Sequence, residues 1–272
     1  MVRARRPRPP GLVSFPMPAR LARLVARGGD EMTGPASIQA LIVDLFGTLV
    51  PKWPQALSTD RKRRMAKAID VEEHLFRKAW AARWWDRELG RVSLEGCIAD
   101  VLEEVAPSGS PETMSALVDL WLEPVADHLA ATPRPDAVAA LERARAAGLK
   151  IGLVSNAGVE VPGVFRRSPL AGLVDVAVYS STVGVAKPDR RIYLAACQEL
   201  AVSPSRCLYV GDGGNDELQG ALEVGMRPVL LRVDDEIAHE GLPSGAAAWE
   251  GPEIGTFDEL WETMALPDGP SP

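Results

Sequence analysis

The chain has 272 residues, of which 46% are hydrophobic and 25% charged, as in a globular protein with one large or two small domains. The first 32 residues hold seven arginines and two acidic residues, so the remainder carries 23 basic and 35 acidic side chains, a net charge of −12. This acidic body argues against a nucleic-acid partner, and an anionic substrate would need a cation or nearby lysines. Three scattered cysteines without a C-x-x-C pair argue against a disulfide framework or a zinc site.

The first segment, residues 1–36, is rich in arginine and proline. We expect a disordered N-terminal extension, or translation that starts at Met32. A targeting peptide is an alternative, although the uninterrupted apolar stretch of a secretory signal is missing. The sequence contains no apolar run long enough to span a membrane. Together with the sparse cysteines, this predicts a cytoplasmic protein without a membrane partner.

The first element predicted in chain order is a buried strand at Ala40–Asp44, within the stretch ALIVDLFGTLVP. Continuous apolar runs are typical of parallel sheets that are covered on both faces. An ionised acid in the middle of such a strand would cost several kcal/mol, roughly, whereas the carboxyl end of the strand opens into a crevice. Asp44 is therefore expected at that end, although an aspartate that only begins a turn is an alternative.

The next interval, residues 55–131, has helical spacing of leucine, alanine and aromatic residues and no strand candidate. It is predicted to be a helical module inserted after the first strand, and such a module can cover the active-site crevice as a cap. Its tryptophans and one arginine could line a pocket, but packing between helices is the preferred interpretation. These residues are Trp80, Trp84, Trp85, Arg87 and Trp121.

The rest of the chain alternates short apolar runs with helical stretches. The predicted strands are Ile151–Val154, Val176–Tyr179, Cys207–Val210 and Pro228–Arg232. Strands separated by single helices imply right-handed crossovers and a parallel sheet. The predicted fold is therefore α/β, with helices on both faces of a parallel sheet formed by residues 37–54 and 132–265. Residues 266–272 are expected to be a tail.

Polar residues follow several of the predicted strands. Ser155 and Asn156 end the second strand, Lys187 precedes a helix, and Asp212 and Asp216 lie in the stretch GDGGND. Each has a local explanation as a turn, a surface charge or a helix cap. However, the carboxyl ends of parallel strands share one crevice, which would bring these residues close to Asp44. Clustered carboxylates need a cation, and Mg²⁺ with a phosphoryl substrate fits this set of ligands.

The four stretches DLFGTL, SN, KP and GDGGND resemble, in this order, the four motifs of the haloacid dehalogenase (HAD) superfamily. The resemblance covers residues 38 to 265 approximately, and the inserted helices resemble the small C1 cap of the dehalogenase and phosphoglycolate phosphatase-like subgroup. It implies a Rossmann-like core and a covalent aspartyl-enzyme intermediate. It also implies a small anionic substrate; the oligomeric state is left open.

The resemblance also implies roles for individual residues. Asp44 would be the nucleophile and a metal ligand, and the main-chain carbonyl of Phe46 would be a second ligand. Lys187 would hold both the nucleophile and the substrate anion. The remaining positions divide into substrate binding by Ser155 and Asn156 and metal binding by Asp212 and Asp216.

Phe46 departs from the pattern of most phosphatases with this motif, which have a second aspartate two residues after the nucleophile. Phe46 cannot donate or accept a proton, and loss of a general acid/base typically removes about 10²–10⁴-fold in rate. Three hypotheses follow: an Mg²⁺-dependent phosphatase with another proton source, a metal-independent 2-haloacid dehalogenase, and a non-catalytic binding protein. The dehalogenase could use Arg77 or Arg83 to bind a carboxylate. The acidic GDGGND stretch favours the phosphatase.

Overall fold

A computed structural model of the chain describes residues 37–106, 111–233 and 245–264. The predicted N-terminal extension (1–36) and tail (266–272) lie outside the described residues, and so does residue 265. None of the helices in the described ranges combines the length and the hydropathy needed to cross a bilayer.

The described core contains a six-stranded parallel sheet with the strand order β3-β2-β1-β4-β5-β6. The strands are β1 (Ala40–Val43), β2 (Lys150–Ser155), β3 (Val176–Tyr179), β4 (Cys207–Gly211), β5 (Arg227–Leu231) and β6 (Glu253–Ile254). The predicted α/β fold with a parallel sheet is confirmed. Strand β6 was not predicted, because two residues are too few to give a periodic pattern.

Five helices occupy the described part of residues 55–131, between β1 and the helix that precedes β2. They are α1 (Gln55–Ala68), α2 (Glu73–Ala82), α3 (Trp84–Glu88), α4 (Leu94–Val105) and α5 (Pro111–Ala131). A hydrophobic cluster of their own holds them together, with Met65, Phe76, Ile98 and Trp121 among its buried members. These helices fill the segment that the sequence predicts as the cap.

The remaining helices belong to the core. They are α6 (Pro135–Ala146), α7 (Val161–Phe165), α8 (Ser180–Val183), α9 (Arg190–Leu200), α10 (Glu217–Glu223) and α11 (Leu260–Met264). Alternate residues of β1 belong to different buried clusters: Leu41 packs with Leu141 of α6, and Ile42 packs with Ile192 of α9. Because successive side chains of a strand point to opposite faces, both faces of the sheet are covered by helices.

Candidate active site

The carboxyl ends of the three central strands position the candidate site. Val43, the last residue of β1, pairs with Leu153 of β2 and with Val210 of β4. The main-chain N–H of Asp44 donates to the carbonyl of Val210 at 3.0 Å, so the Asp44 carboxylate begins where the strand ends. Ser155 is buried at the end of β2, on the same edge of the sheet.

Lys187 is the buried cation of this edge. Its Nζ donates to Asp44 Oδ1 at 2.6 Å, to the Glu217 carboxylate and, at 3.3 Å, to the Tyr209 hydroxyl. Burial alone would lower the pKa of Lys187, but the Asp44 and Glu217 carboxylates raise it above its ordinary value. Lys187 is therefore held in the charged form beside the candidate nucleophile.

Asn156 positions Lys187 through the main chain. The Asn156 side-chain oxygen accepts from the Lys187 N–H at 2.7 Å, and its Nδ2 donates to the Lys187 carbonyl at 3.2 Å. Both ends of the amide are therefore engaged in orienting the lysine. The structure thus favours a positioning role for Asn156 over the substrate contact that the sequence suggested.

Asp212 follows β4 and packs against the turn that follows Asp44. Its Oδ1 accepts from the N–H of Gly214 at 2.8 Å, and its Oδ2 lies 3.8 Å from Nζ of Lys52. Gly47 has a φ of +89°, and a Cβ at this position would overlap the Asp212 carboxylate. Burial and the Asp44 charge raise the pKa of Asp212, which indicates a shortage of positive charge around it.

Three carboxylates converge, and one of them was not predicted. Oxygens of Asp44, Asp212 and Glu217 lie within 4.8 Å of one another, and we call this set the carboxylate cluster. Asp216 is exposed and is not among these three residues, and its role as a metal ligand stays a prediction. Asn215 and Asp216 have φ values of 55° and 54°, and this left-handed turn precedes the inward-facing Glu217 at the start of α10.

Glu217 is fully buried and saturated with hydrogen bonds. Besides the bond from Lys187, its carboxylate accepts hydrogen bonds from the Tyr209 hydroxyl at 2.7 Å and from the N–H of Gly213 at 3.0 Å. Burial raises the pKa of Glu217 to about 8; Lys187 opposes this rise, and Asp44 and Asp212 add to it. With its oxygens engaged in this way, Glu217 acts as a positioning residue for Lys187.

The chemistry of the carboxylate cluster fits a hard divalent cation. Mg²⁺ prefers oxygen ligands and is usually held by one or two carboxylates together with waters and phosphate oxygens. Asp44 and Asp212 could supply those carboxylates, and the raised pKa values at Asp212 and Glu217 show that added positive charge would be stabilising here. A ligand role for the Phe46 carbonyl stays a prediction.

The Phe46 side chain belongs to an aromatic group between the core and α5. Its ring stacks on His128 with centroids 6.1 Å apart and meets Trp53 edge-on at 6.4 Å. His128 in turn lies 5.2 Å from Trp53, and its Nε2 is 3.0 Å from the carbonyl oxygen of Pro51. The position where related phosphatases have an acid/base is thus occupied by packed rings.

The two cap arginines suggested as carboxylate ligands are engaged elsewhere. Arg77 pairs with Glu73 at 3.2 Å on the exposed side of α2. Arg83 pairs with Glu104 at 2.8 Å and donates to the carbonyl of Asp100 at 3.0 Å. Instead, the buried arginines of the cap are Arg61 and Arg87.

A family model described as "Hydrolase: haloacid dehalogenase-like hydrolase" matches residues 38–225. The chain therefore belongs to the haloacid dehalogenase-like hydrolases, as its four motifs predicted.

Named relatives include both phosphatases and dehalogenases. Phosphatase MT3486 of Mycobacterium tuberculosis is 41% identical over 99 residues, which cover 36% of this chain and 45% of the relative. (S)-2-haloacid dehalogenase H-109 of Pseudomonas putida is 32% identical over 239 residues, covering 83% and 91%. As with phosphatase MT3486, the chain spans only about half the length of two other relatives, at 56% and 54%.

Among solved structures, the 2-haloacid dehalogenase from Pseudomonas syringae pv. Tomato DC3000 superposes with a TM-score of 0.60. The superposition covers 84% of this chain and 98% of that one, at 21% sequence identity. At this level of identity the match establishes the common fold, and the reaction has to be argued from the site.

Proposed function

We propose that the protein is an Mg²⁺-dependent phosphohydrolase that acts on a small phosphorylated metabolite through an aspartyl-phosphate intermediate on Asp44. The observation that carries the proposal is the convergence of Asp44, Asp212 and Glu217 around Lys187. This arrangement needs additional positive charge, and a metal-free dehalogenase would gain nothing from an acid at position 212 beside its anionic substrate. A bound Mg²⁺ would neutralise charge on the phosphoryl oxygens.

The residues of the chain account for the two chemical steps. The Asp44 carboxylate attacks phosphorus, and the bond between phosphorus and the ester oxygen breaks. Lys187 holds the carboxylate in place at 2.6 Å, and its charge stabilises the transferring anion. Water then attacks phosphorus, releasing inorganic phosphate and regenerating the Asp44 carboxylate. Since Phe46 cannot protonate a leaving group, we expect preference for esters whose leaving oxygen is a stable anion.

A second candidate, a 2-haloacid dehalogenase, is favoured by the same Phe46. Here the Asp44 carboxylate would attack the halogen-bearing carbon, halide would leave without a proton, and water would hydrolyse the resulting ester at the Asp44 carbonyl. The aromatic group around Phe46 suits such a leaving group because it provides an apolar surface. The 32% identity to (S)-2-haloacid dehalogenase H-109 adds to this alternative.

Two assays on the same preparation separate the candidates. We expect hydrolysis of p-nitrophenyl phosphate with Mg²⁺, its loss with EDTA, and a loss of at least about 10³-fold in Asp44→Asn. The exposed Asp258→Asn is the matched control and should keep its activity. Halide release from 2-chloropropionate in EDTA, without phosphatase activity, would replace the proposal with the dehalogenase. Absence of both activities would favour a non-catalytic binding protein.

A further inference from the structure

A second group of buried charges lies away from the carboxylate cluster. Arg61 of α1 and Arg87 of α3 are 7% and 3% exposed; Glu160, which follows β2 in the core, pairs with Arg87 and interacts electrostatically with Arg61. Arg87 Nη1 lies 3.6 Å from Glu160 Oε1, and the same oxygen accepts from Trp121 Nε1 at 2.9 Å. We call Arg61, Arg87 and Glu160 the arginine cluster.

Indole rings form the walls of the arginine cluster. The Arg61 guanidinium carbon lies 3.3 Å from the ring centroid of Trp121 and 4.9 Å from that of Trp53. The Arg87 guanidinium carbon lies 4.4 Å from the centroid of Trp80 and 5.0 Å from that of Trp121. Arg61 Nη1 also donates to the main-chain carbonyl of Trp121 at 3.2 Å, so stacking and this hydrogen bond together hold the Arg61 guanidinium, while Nε of each arginine is left without a partner.

The charges and hydrogen bonds of this cluster do not balance. Two guanidinium groups share one carboxylate, which leaves a net charge of +1 in a buried environment. Among the buried side-chain atoms of this cluster and its indole walls, four donors and one acceptor have no hydrogen-bond partner within the described part of the chain: Nε of Arg61, Nε of Arg87, Nε1 of Trp53, Nε1 of Trp80 and Oε2 of Glu160. Buried polar groups are normally paired, so an excess of donors at one place points to a missing acceptor.

A neighbouring lysine reports the same excess of positive charge. Burial, together with the charges of Arg61, Arg77 and Arg87, lowers the pKa of Lys62 to about 8. An anion bound near these groups would relieve both the repulsion and the unpaired donors.

Trp53 connects the arginine cluster to the aromatic group of Phe46 in the candidate site. Trp53 contacts the Phe46 ring on one side and the Arg61 guanidinium on the other. Glu160 lies five residues after Ser155, on the segment that leaves the carboxyl end of β2. A small substrate could therefore extend from Asp44 past Trp53 to the arginines.

We propose that Arg61 and Arg87 bind a second oxyanion of the substrate, most simply a carboxylate, at the end remote from the reacting phosphate. This inference rests on the proposed function and specifies its substrate class. Glu160 orients the guanidinium groups, and an entering carboxylate brings the cluster to neutrality and accepts from the unpaired Nε–H donors. The alternative is an arginine cluster that only packs the cap against the core.

The test uses non-hydrolysable ligands, so that it does not depend on turnover. Calorimetry in the presence of Mg²⁺ compares ω-carboxyalkyl phosphonates of three to eight carbons with alkyl phosphonates of the same length. We expect the carboxylate to strengthen binding at least tenfold at one chain length, and this preference to disappear in Arg61→Met and Arg87→Met. Arg83→Met, which removes a cap arginine paired with Glu104, should retain it.

A further variant is expected to increase the preference for the carboxylate, which partial unfolding of the protein could not do. Glu160→Gln keeps an acceptor for Trp121 but raises the charge of the cluster from +1 to +2, so it should increase the preference for the carboxylate. An equal affinity for both phosphonate series at every length, or a preference that survives in the arginine variants, would overturn the inference.

A dicarboxylate separates this inference from the proposed function. If phosphonates do not bind at all, the phosphatase proposal fails, and thermal unfolding with adipate then decides the inference by itself. A rise in the melting temperature of the unsubstituted protein that is absent in Arg87→Met would support the anion site. Equal shifts in both proteins, or no shift in either, would reject it.

Discussion

The carboxylate cluster at the sheet edge and the arginine cluster beneath the cap both bury charge, but they differ in sign and in how they are satisfied. In the carboxylate cluster, three acids surround the ammonium of Lys187, and Glu217 and Lys187 are extensively hydrogen-bonded. In the arginine cluster, two cations share one acid, and aromatic faces replace much of the hydrogen bonding. Each cluster therefore lacks charge of the opposite sign.

The comparison indicates different degrees of preorganisation. Side chains that position Lys187 are locked by direct hydrogen bonds, which suits a centre where reacting atoms must be held closely. The arginine cluster keeps unpaired donors, which suits recognition of a variable group that arrives with the substrate. Four substitutions, each with a control, test whether the two clusters differ in this way.

The largest effect is expected from the pair Glu217→Gln and Asp216→Asn. In Glu217→Gln, the side-chain NH₂ group cannot accept the hydrogen bonds that the replaced carboxylate oxygen receives, so Lys187 is held less well. We expect kcat/KM for p-nitrophenyl phosphate to fall about 10–100-fold in this variant. Asp216 is exposed and outside the carboxylate cluster, so its variant should stay within about twofold. A comparable loss in Asp216→Asn would contradict this expectation and support the prediction that Asp216 belongs to the metal site.

Phe46→Asp is expected to raise the rate of hydrolysis of esters with poor leaving groups. A carboxyl group at this position could protonate a poor leaving group, so the rate for propyl phosphate relative to p-nitrophenyl phosphate should rise about tenfold or more. Phe46→Ala removes the same ring without adding an acid and is the matched control. If both variants change the ratio alike, loss of the ring explains the result and position 46 is not the acid/base site.

A stability effect is expected from Trp121→Phe. The variant loses the hydrogen bond from Nε1 to the Glu160 carboxylate, and hydrogen bonds to charged groups contribute about 2 kcal/mol. Urea unfolding should show a loss of this order. Trp249→Phe, which removes an exposed indole bond to the Pro252 carbonyl, should cost less than about 1 kcal/mol. Equal losses would mean that the link from the cap to Glu160 adds no special stability.

The smallest effect is expected from Lys62→Met, and it depends on pH. The folded-state pKa of Lys62, about 8, lies below its ordinary value of 10.5, so folding disfavours the charged form. The full cost is present below pH 8 and is relieved as the pH rises towards 10.5. Because Lys62 is only partly buried, we expect the variant to melt about 2 °C higher at pH 7.

The pH dependence of this difference is the decisive measurement for Lys62. The advantage of Lys62→Met should shrink as the pH approaches 10.5, whereas the exposed Lys67→Met, on the same helix, should show no such trend. An advantage that stays constant with pH would mean that packing, and not charge, is responsible.

The sequence predicted the sheet and the convergence of Asp44, Lys187 and Asp212 for a physical reason. Parallel strands bring their carboxyl ends to one edge, so Asp44, Lys187 and Asp212 could be placed together from the strand pattern and the motifs. Glu217 escaped prediction because the motif spacing pointed to Asp216. Two consecutive residues in the left-handed region, Asn215 and Asp216, were not foreseeable from residue types alone.

The arginine cluster was hidden by its composition. Arg87 was named from sequence as a residue that could line a pocket or pack helices, but Arg61 was not. Arg61 lies in the run RKRR, which by composition predicts a solvated helix face. A signal was present: Met65, four residues after Arg61, is buried on the same face of α1. Glu160 could not be paired with these arginines from sequence, because its approach to Arg87 depends on how the cap packs on the core.

The two segments that connect the inserted helices to the core are hydrogen-bonded to each other. The N–H of Arg134, just after the inserted helices, donates to the carbonyl of Leu49 at 2.9 Å, and His128 Nε2 approaches the carbonyl of Pro51, just before them. Entry and exit of the insertion therefore meet at one point on the core. Because both connections of the inserted helices leave the sheet at one place, a change in their length or sequence there leaves the strand order undisturbed. Any rigid-body rotation of these helices relative to the sheet would have its hinge at this place.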